Sequence, residues 1–105
     1  MQIEAFNIGT KLRKLREDNR LPLREVAEVL NIDVAILSKM ERGERRLNKV
    51  LVQKLAKFYK HDIEELMVLF LSERVVYEIG NEALALRALH VAEAQIKNQK
   101  ENSKK

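Results

Sequence analysis

Two short helical patterns separated by one turn position, between Leu21 and Arg46, restrict this chain more than any other stretch of it. Leu23, Val26, Ala27 and Leu30 recur at helical spacing, which gives one apolar face. Asn31 follows where the chain must turn sharply, and Asn takes a positive φ more readily than most non-glycine residues. Asp33 then offers an N-cap oxygen to a second helix, whose inward positions are Ile36 or Leu37 and then Met40. Ala27 is small where two helices would cross closely, and Gly43 supplies a C′-type stop. Apolar, small, turn and apolar positions in this order meet the requirements of a helix-turn-helix unit, which points to sequence-specific binding of duplex DNA.

The remaining composition agrees with that reading. A chain of 105 residues can bury well over half of its unfolded surface without covalent staples. It has no cysteine, so disulfides and thiolate metal sites are excluded and a reducing cytoplasm is the natural setting. His61 and His90 are far apart with no ligand-like spacing, so neither a metal nor a cofactor is expected. Met1-Gln2-Ile3-Glu4 lacks the basic and apolar blocks of a signal peptide. The longest apolar run, Leu66 to Leu71, is far too short to span a membrane. The expectation is a soluble cytoplasmic protein.

Three Gly and one Pro, with apolar residues recurring at three and four, predict an all-α fold. The formal net charge of +4 is unevenly spread. Residues 1–20 are basic on balance, and residues 48–60 carry Lys49, Lys54, Lys57 and Lys60 with no acid. Residues 61–80 set Arg74 against Asp62, Glu64, Glu65, Glu73 and Glu78. A basic first half followed by an acidic segment suggests one face for phosphates and another kept away from them, although an ordinary solvated surface gives the same pattern.

Helix 1 is predicted from Ile8 to Asp18, with Asn7 or Thr10 as cap and Ile8, Leu12 and Leu15 inward. Helix 2 runs from Pro22, which suits a first-turn position, to Leu30, and helix 3 from Val34 to Arg42. Helix 4, Lys49 to Tyr59, is capped by Asn48 and buries Val50, Leu51, Leu55, Phe58 and Tyr59. Helix 5 starts after Asp62 with Glu64 and Glu65 in its first turn, where the macrodipole favours acid. Residues 72–79 continue it or form a short separate helix. Gly80-Asn81 reads as a stop and a new cap, and residues 82–97 form a last helix with Leu84, Ala85, Ala88, Leu89, Val91, Ala92 and Ile96 on a wide face. The domain organisation is thus a helix-turn-helix domain over residues 1–71, a helical extension over 72–97 and a disordered basic tail over 98–105.

Several strings across residues 8–70 carry a resemblance: Leu12-Arg13-Lys14-Leu15-Arg16, Arg24-Glu25-Val26-Ala27, Ile32, Leu37-Ser38-Lys39-Met40-Glu41-Arg42-Gly43, Leu55-Ala56-Lys57 and Asp62-Ile63-Glu64-Glu65-Leu66. This part of the chain resembles the five-helix DNA-binding domain of the Cro and phage-repressor type, the xenobiotic-response-element regulators. The resemblance implies an ion pair between Arg16 and Glu41, tying helix 1 to the end of helix 3. Breaking one partner of such a pair costs about 3–5 kcal/mol if it is buried. It also implies that helix 3 is the recognition helix, with its first turn and Lys39 in the major groove. Arg42, Arg45, Arg46 and Lys49 would then hold phosphates, helped by the N-terminus of helix 4.

Departures from the family pattern are informative. Pro22 and Leu23 stand where many members have a Ser-Gln pair that grips phosphate. Val34, Ala35 and Ile36 occupy recognition positions often filled by polar residues. Apolar side chains do not read donors and acceptors, although they can touch a thymine methyl. Asp33 opposes a close phosphate and is engaged as a cap. Readout should therefore be sparse. Lys39 is the expected direct base contact, to guanine, the alternative being an ordinary solvent-exposed lysine. Ser38 either joins it or bonds back to its own helix, and Arg24 either reaches phosphate or decorates helix 2.

Members of this class usually act as dimers on paired half-sites about one helical turn apart. Helix 5 is apolar all round from Leu66 to Leu71, more than one core covers from one side. Leu66, Phe70, Leu71, Leu84, Leu89, Ala92 and Ile96 are therefore expected in a two-fold dimerisation interface, the alternative being that the last helix completes the monomer core. The expected function is a dimeric transcription regulator, a repressor of its own or a neighbouring operon. Such regulators often accompany restriction-modification or toxin genes, an association that comes from the family. The alternative is a degenerate helix-turn-helix acting as a protein-interaction module or antitoxin through its C-terminal helices. An enzyme is not expected, because Ser38, Ser72 and Ser103 lie in no nucleophile elbow and no Gly-rich phosphate loop exists.

Overall fold

The computed structural model describes residues 7–103. Every regular element among them is a helix: α1 Ile8–Asp18, α2 Leu23–Leu30, α3 Val34–Glu41, α4 Lys49–Tyr59, α5 Ile63–Ile79 and α6 Ala85–Ser103. The fold is all-α: the five expected helices of the N-terminal part are followed by a sixth. None of the described helices is long and apolar enough to cross a membrane.

Side-chain oxygens set the helix starts by satisfying donors that a first turn leaves open. Asn7, not Thr10, caps α1, its Oδ1 accepting from the Gly9 and Thr10 N–H groups at 2.8 and 3.3 Å. Asp33 accepts from Ala35 N–H at 3.2 Å, Asn48 from Leu51 N–H at 2.9 Å and Asp62 from Glu64 N–H at 3.0 Å. Pro22 departs from expectation by one position. It stands at the cap of α2 with an extended backbone and makes no side-chain capping bond.

The ends of α1 to α4 share one device. Arg20, Asn31, Gly43 and Lys60 have φ of 58, 57, 77 and 54°. After each, the next N–H turns back to the helix: Leu21 to Arg16 O, Ile32 to Ala27 O, Glu44 to Lys39 O and His61 to Ala56 O, at 2.8–3.1 Å. These are Schellman closures, in which a left-handed residue lets two N–H groups satisfy the last carbonyls.

The chain divides into two units, the first of which ends at Arg74. In the first, Ile8, Leu12, Val26, Ala27, Leu30, Leu37, Met40, Leu47, Leu51, Val52, Leu55, Ala56, Leu66 and Phe70 form one core. Val50, expected inside, is 57 % exposed and Val52 is buried instead. Residues 51, 52, 55 and 56 share one side of α4, and residue 50 falls outside that arc. Leu66 and Phe70 also correct an expectation. Both are buried in this core, so neither presents an open surface to a partner.

In the second unit α6 has no buried residue. It starts at Ala85, later than the expected residue 82, because Glu82 N–H bonds back to Ile79 O and the following residues form turns. Asn81 therefore precedes the helix without capping it. The tail expected to be disordered from residue 98 is helical through Ser103. Gln, Lys and Glu are good helix formers, and a helix already nucleated extends through them without burial. Residues 104–105 lie outside the described residues, as does the start of the chain before Asn7.

Candidate nucleic-acid interface

The site is built on α3, and α3 is held from behind by α1. Gly9 makes the first anchor, at a position where a Cβ would lie 2.6 Å from the Met40 carbonyl oxygen and 2.7 Å from that of Glu41. Only a glycine lets the two backbones come so close. The second anchor is the Arg16 guanidinium, whose Nε and Nη2 donate to the two Glu41 carboxylate oxygens at 2.8 and 3.1 Å. Its Nη1 donates to the Leu21 carbonyl at 2.8 Å, so the same side chain also fixes the segment entering α2. Side-chain exposure is 12 % for Arg16 and 5 % for Glu41, making this a buried, two-pronged pair of the kind that fixes geometry. The Glu41 hydrogen bond raises the Arg16 pKa against the opposing effect of burial. Tyr59 lies in the same field. Its phenol is pushed up to about 12, first by burial and then by the Glu41 charge, with Arg16 opposing.

With Leu37, Met40 and Glu41 turned inward, the opposite side of α3 presents Val34, Ala35, Ser38, Lys39 and Arg42. Helical spacing puts these five on one arc. All are exposed except Ser38, which is half-buried. Arg24 is exposed on the first turn of α2, which packs on α3. The expected reading residues thus share one outward face. The Asp33 Oδ1 is engaged with Ala35 N–H, as its capping role requires.

The loop from Arg42 to Lys49 carries the residues expected to contact phosphate. Arg42, Arg45, Arg46 and Lys49 are all exposed, and Lys49 opens α4 beside the N–H groups of its first turn. Two of these cations face acids that sequence reasoning missed. Arg42 Nε lies 2.8 Å from Glu44 Oε2, an exposed pair that solvent screens. Arg46 acts on Glu73 of α5, favouring its charged form against the burial that raises its pKa. No sequence signal linked Arg46 to Glu73, because the pair joins elements far apart in the chain.

A helix-turn-helix family model matches residues 12–66, the span from α1 into α5 that holds all of these groups except Gly9 and Glu73. The chain belongs to the helix-turn-helix family of the Cro/C1 type. No curated protein and no solved structure matches it. The helix-turn-helix of this family is α2, the Asn31 turn and α3, and membership makes the chain a DNA-binding regulator. In such units the second helix enters the major groove by its N-terminal residues while flanking groups hold the backbone.

The residues expected at a two-fold interface do not stay together. Leu66 and Phe70 are in the core, whereas Leu71 is exposed on α5. Leu84, Leu89 and Ile96 are exposed in the second unit and Ala92 is half-buried. Leu86, not expected at an interface, is 81 % exposed. Within that unit Val75, Val76, Ile79, Leu86 and Leu89 line an open apolar groove of about 610 Å³.

Proposed function

We propose that this protein is a dimeric operator-binding transcription regulator, acting in the cytoplasm as a repressor of its own or a neighbouring operon. The observation that carries the reading is the outward arc of α3, free of core duties yet pinned from behind by Gly9 and the Arg16–Glu41 pair. A recognition element has to be both exposed and rigid, since a base contact is useful only if its donor is already in place. Arg24, Arg42, Arg45, Arg46 and Lys49 supply affinity through phosphates, Ser38 and Lys39 supply polar readout, and Val34 and Ala35 meet the bases. Two copies joined through the apolar residues of α6 would reach half-sites about one helical turn apart.

Selection of bound sites from a random duplex library at near-physiological salt tests this reading. An inverted repeat with half-sites about one turn apart is the expected product. The uncovered apolar surface of α6 favours a second reading, a protein-interaction module whose partner binds that helix. Absence of any enriched sequence, together with stoichiometric binding of another protein, would replace the first reading by the second.

A further inference from the structure

The first turn of α3 is an unusual surface to press against base edges, because its side chains from Val34 to Ile36 are all apolar. Val34 is 41 % exposed, Ala35 is exposed and Ile36 is half-buried. Asp33 is the one polar side chain there: its Oδ1 accepts from Ala35 N–H at 3.2 Å, and its Oδ2 can accept only from a base amino group. Its negative charge also repels the acceptors that dominate the major groove, namely purine N7, guanine O6 and thymine O4. Apolar groups placed against those acceptors would desolvate them without a replacement bond, which is unfavourable.

The major groove offers one apolar group, the pyrimidine 5-methyl. We infer that this regulator recognises its half-site mainly through pyrimidine 5-methyl groups, packed against Val34 and Ala35. The inference rests on the operator-binding reading above and names the chemistry that reading needs. Ala35 is short, so the helix can sit close enough for its neighbour's methyls to reach the groove floor. Lys39, Arg42, Arg45 and Lys49 are all exposed and supply the positive charge that holds a polyanion. Thymine carries the methyl in ordinary DNA, and 5-methylcytosine presents the same group at the same place in the groove. Removing one buried methyl should weaken binding about fourfold, and two about fifteenfold.

The full chain is titrated by fluorescence anisotropy against the duplex enriched from the random library. Each thymine is replaced singly by deoxyuridine, which removes only the methyl. At one or two positions per half-site the expected loss is about fourfold. At those positions cytosine should bind as weakly as or more weakly than uracil, and 5-methylcytosine should recover part of the loss relative to cytosine. Val34→Thr and Ala35→Ser, both at exposed positions, should shrink the uracil penalty on the enriched duplex. Uniform tolerance of uracil on an enriched duplex overturns this inference and leaves operator binding intact. A uracil penalty that persists undiminished in both variants overturns the assignment to α3. If the library yields no enriched duplex, the operator-binding reading fails and this inference fails with it.

Discussion

Gly9 lies inside a helix that alanine would stabilise by about 1 kcal/mol on propensity alone. The atoms a Cβ would meet are the backbone carbonyls of Met40 and Glu41 at 2.6 and 2.7 Å, and a helix backbone cannot move aside as a flexible side chain can. Overpacking of this kind costs about 1–3 kcal/mol, so Gly9→Ala should lower the melting temperature despite the better helix former. An unchanged or higher melting temperature would show that α1 and α3 do not cross there. The Arg16–Glu41 pair sits beside the same crossing, and Glu41→Ala leaves the Arg16 charge buried with only the Leu21 carbonyl. Loss of about 3 kcal/mol is expected in urea denaturation, and Arg16→Met combined with Glu41→Leu should recover most of it. Equal losses in the single and double variants would mean that the pair itself, rather than an orphaned charge, supplies the stability. The two anchors differ in how legible they were. Arg16 and Glu41 could be paired through the family pattern, whereas the role of Gly9 depends on how closely two helices approach, and one sequence does not state a distance between helices.

At the scale of elements, most boundaries were readable because the capping residues carry a chemical signature. Asn7, Asp33, Asn48 and Asp62 all have a short side chain with an acceptor oxygen, and each starts a helix. Asn31 and Gly43 similarly advertise a left-handed backbone. Arg20 and Lys60 adopt the same conformation with φ of 58 and 54°, and nothing in an arginine or lysine announces it. Both positions bear a strain that a side chain without a Cβ would avoid. Arg20→Gly and Lys60→Gly should each stabilise the fold by about 0.5–1 kcal/mol, and the two should add because they close different helices. Chemical denaturation of the single and double variants measures this, and a loss of stability in either would show that its closure depends on the side chain. The start and end of α6 were misread for a related reason: polar helix formers from Asn98 to Ser103 look like a solvated tail when no burial pattern distinguishes the two.

For the whole molecule, the decisive contrast is between a first unit with a closed core and a second, Val75–Lys105, whose helix α6 buries nothing. A unit that small cannot enclose a core of its own, and monomers rarely leave a large contiguous apolar patch in water. The sequence placed surplus apolar surface in the right half of the chain but assigned Leu66 and Phe70 to it, because a helix that is apolar all round does not reveal which side its own core takes. With those two withdrawn, the proposed interface rests on Leu84, Leu86, Leu89, Val91 and Ile96 of the second unit. Paired copies would bury these side chains on a self-complementary surface. Such a dimer is stabilised by mass action, so its melting temperature should rise with protein concentration. Leu86→Glu combined with Val91→Glu should abolish that rise, shift sedimentation from dimer to monomer and preserve the circular dichroism of the first unit's helices. Binding to a single half-site should survive in that variant, while the advantage of a paired site over a single one should disappear. If the unaltered chain sediments as a monomer at micromolar concentration with a concentration-independent melting temperature, the two-fold interface is wrong. The exposed apolar residues of α6 would then belong against a different protein, and the charge and geometry of α3 would have to work from a single domain.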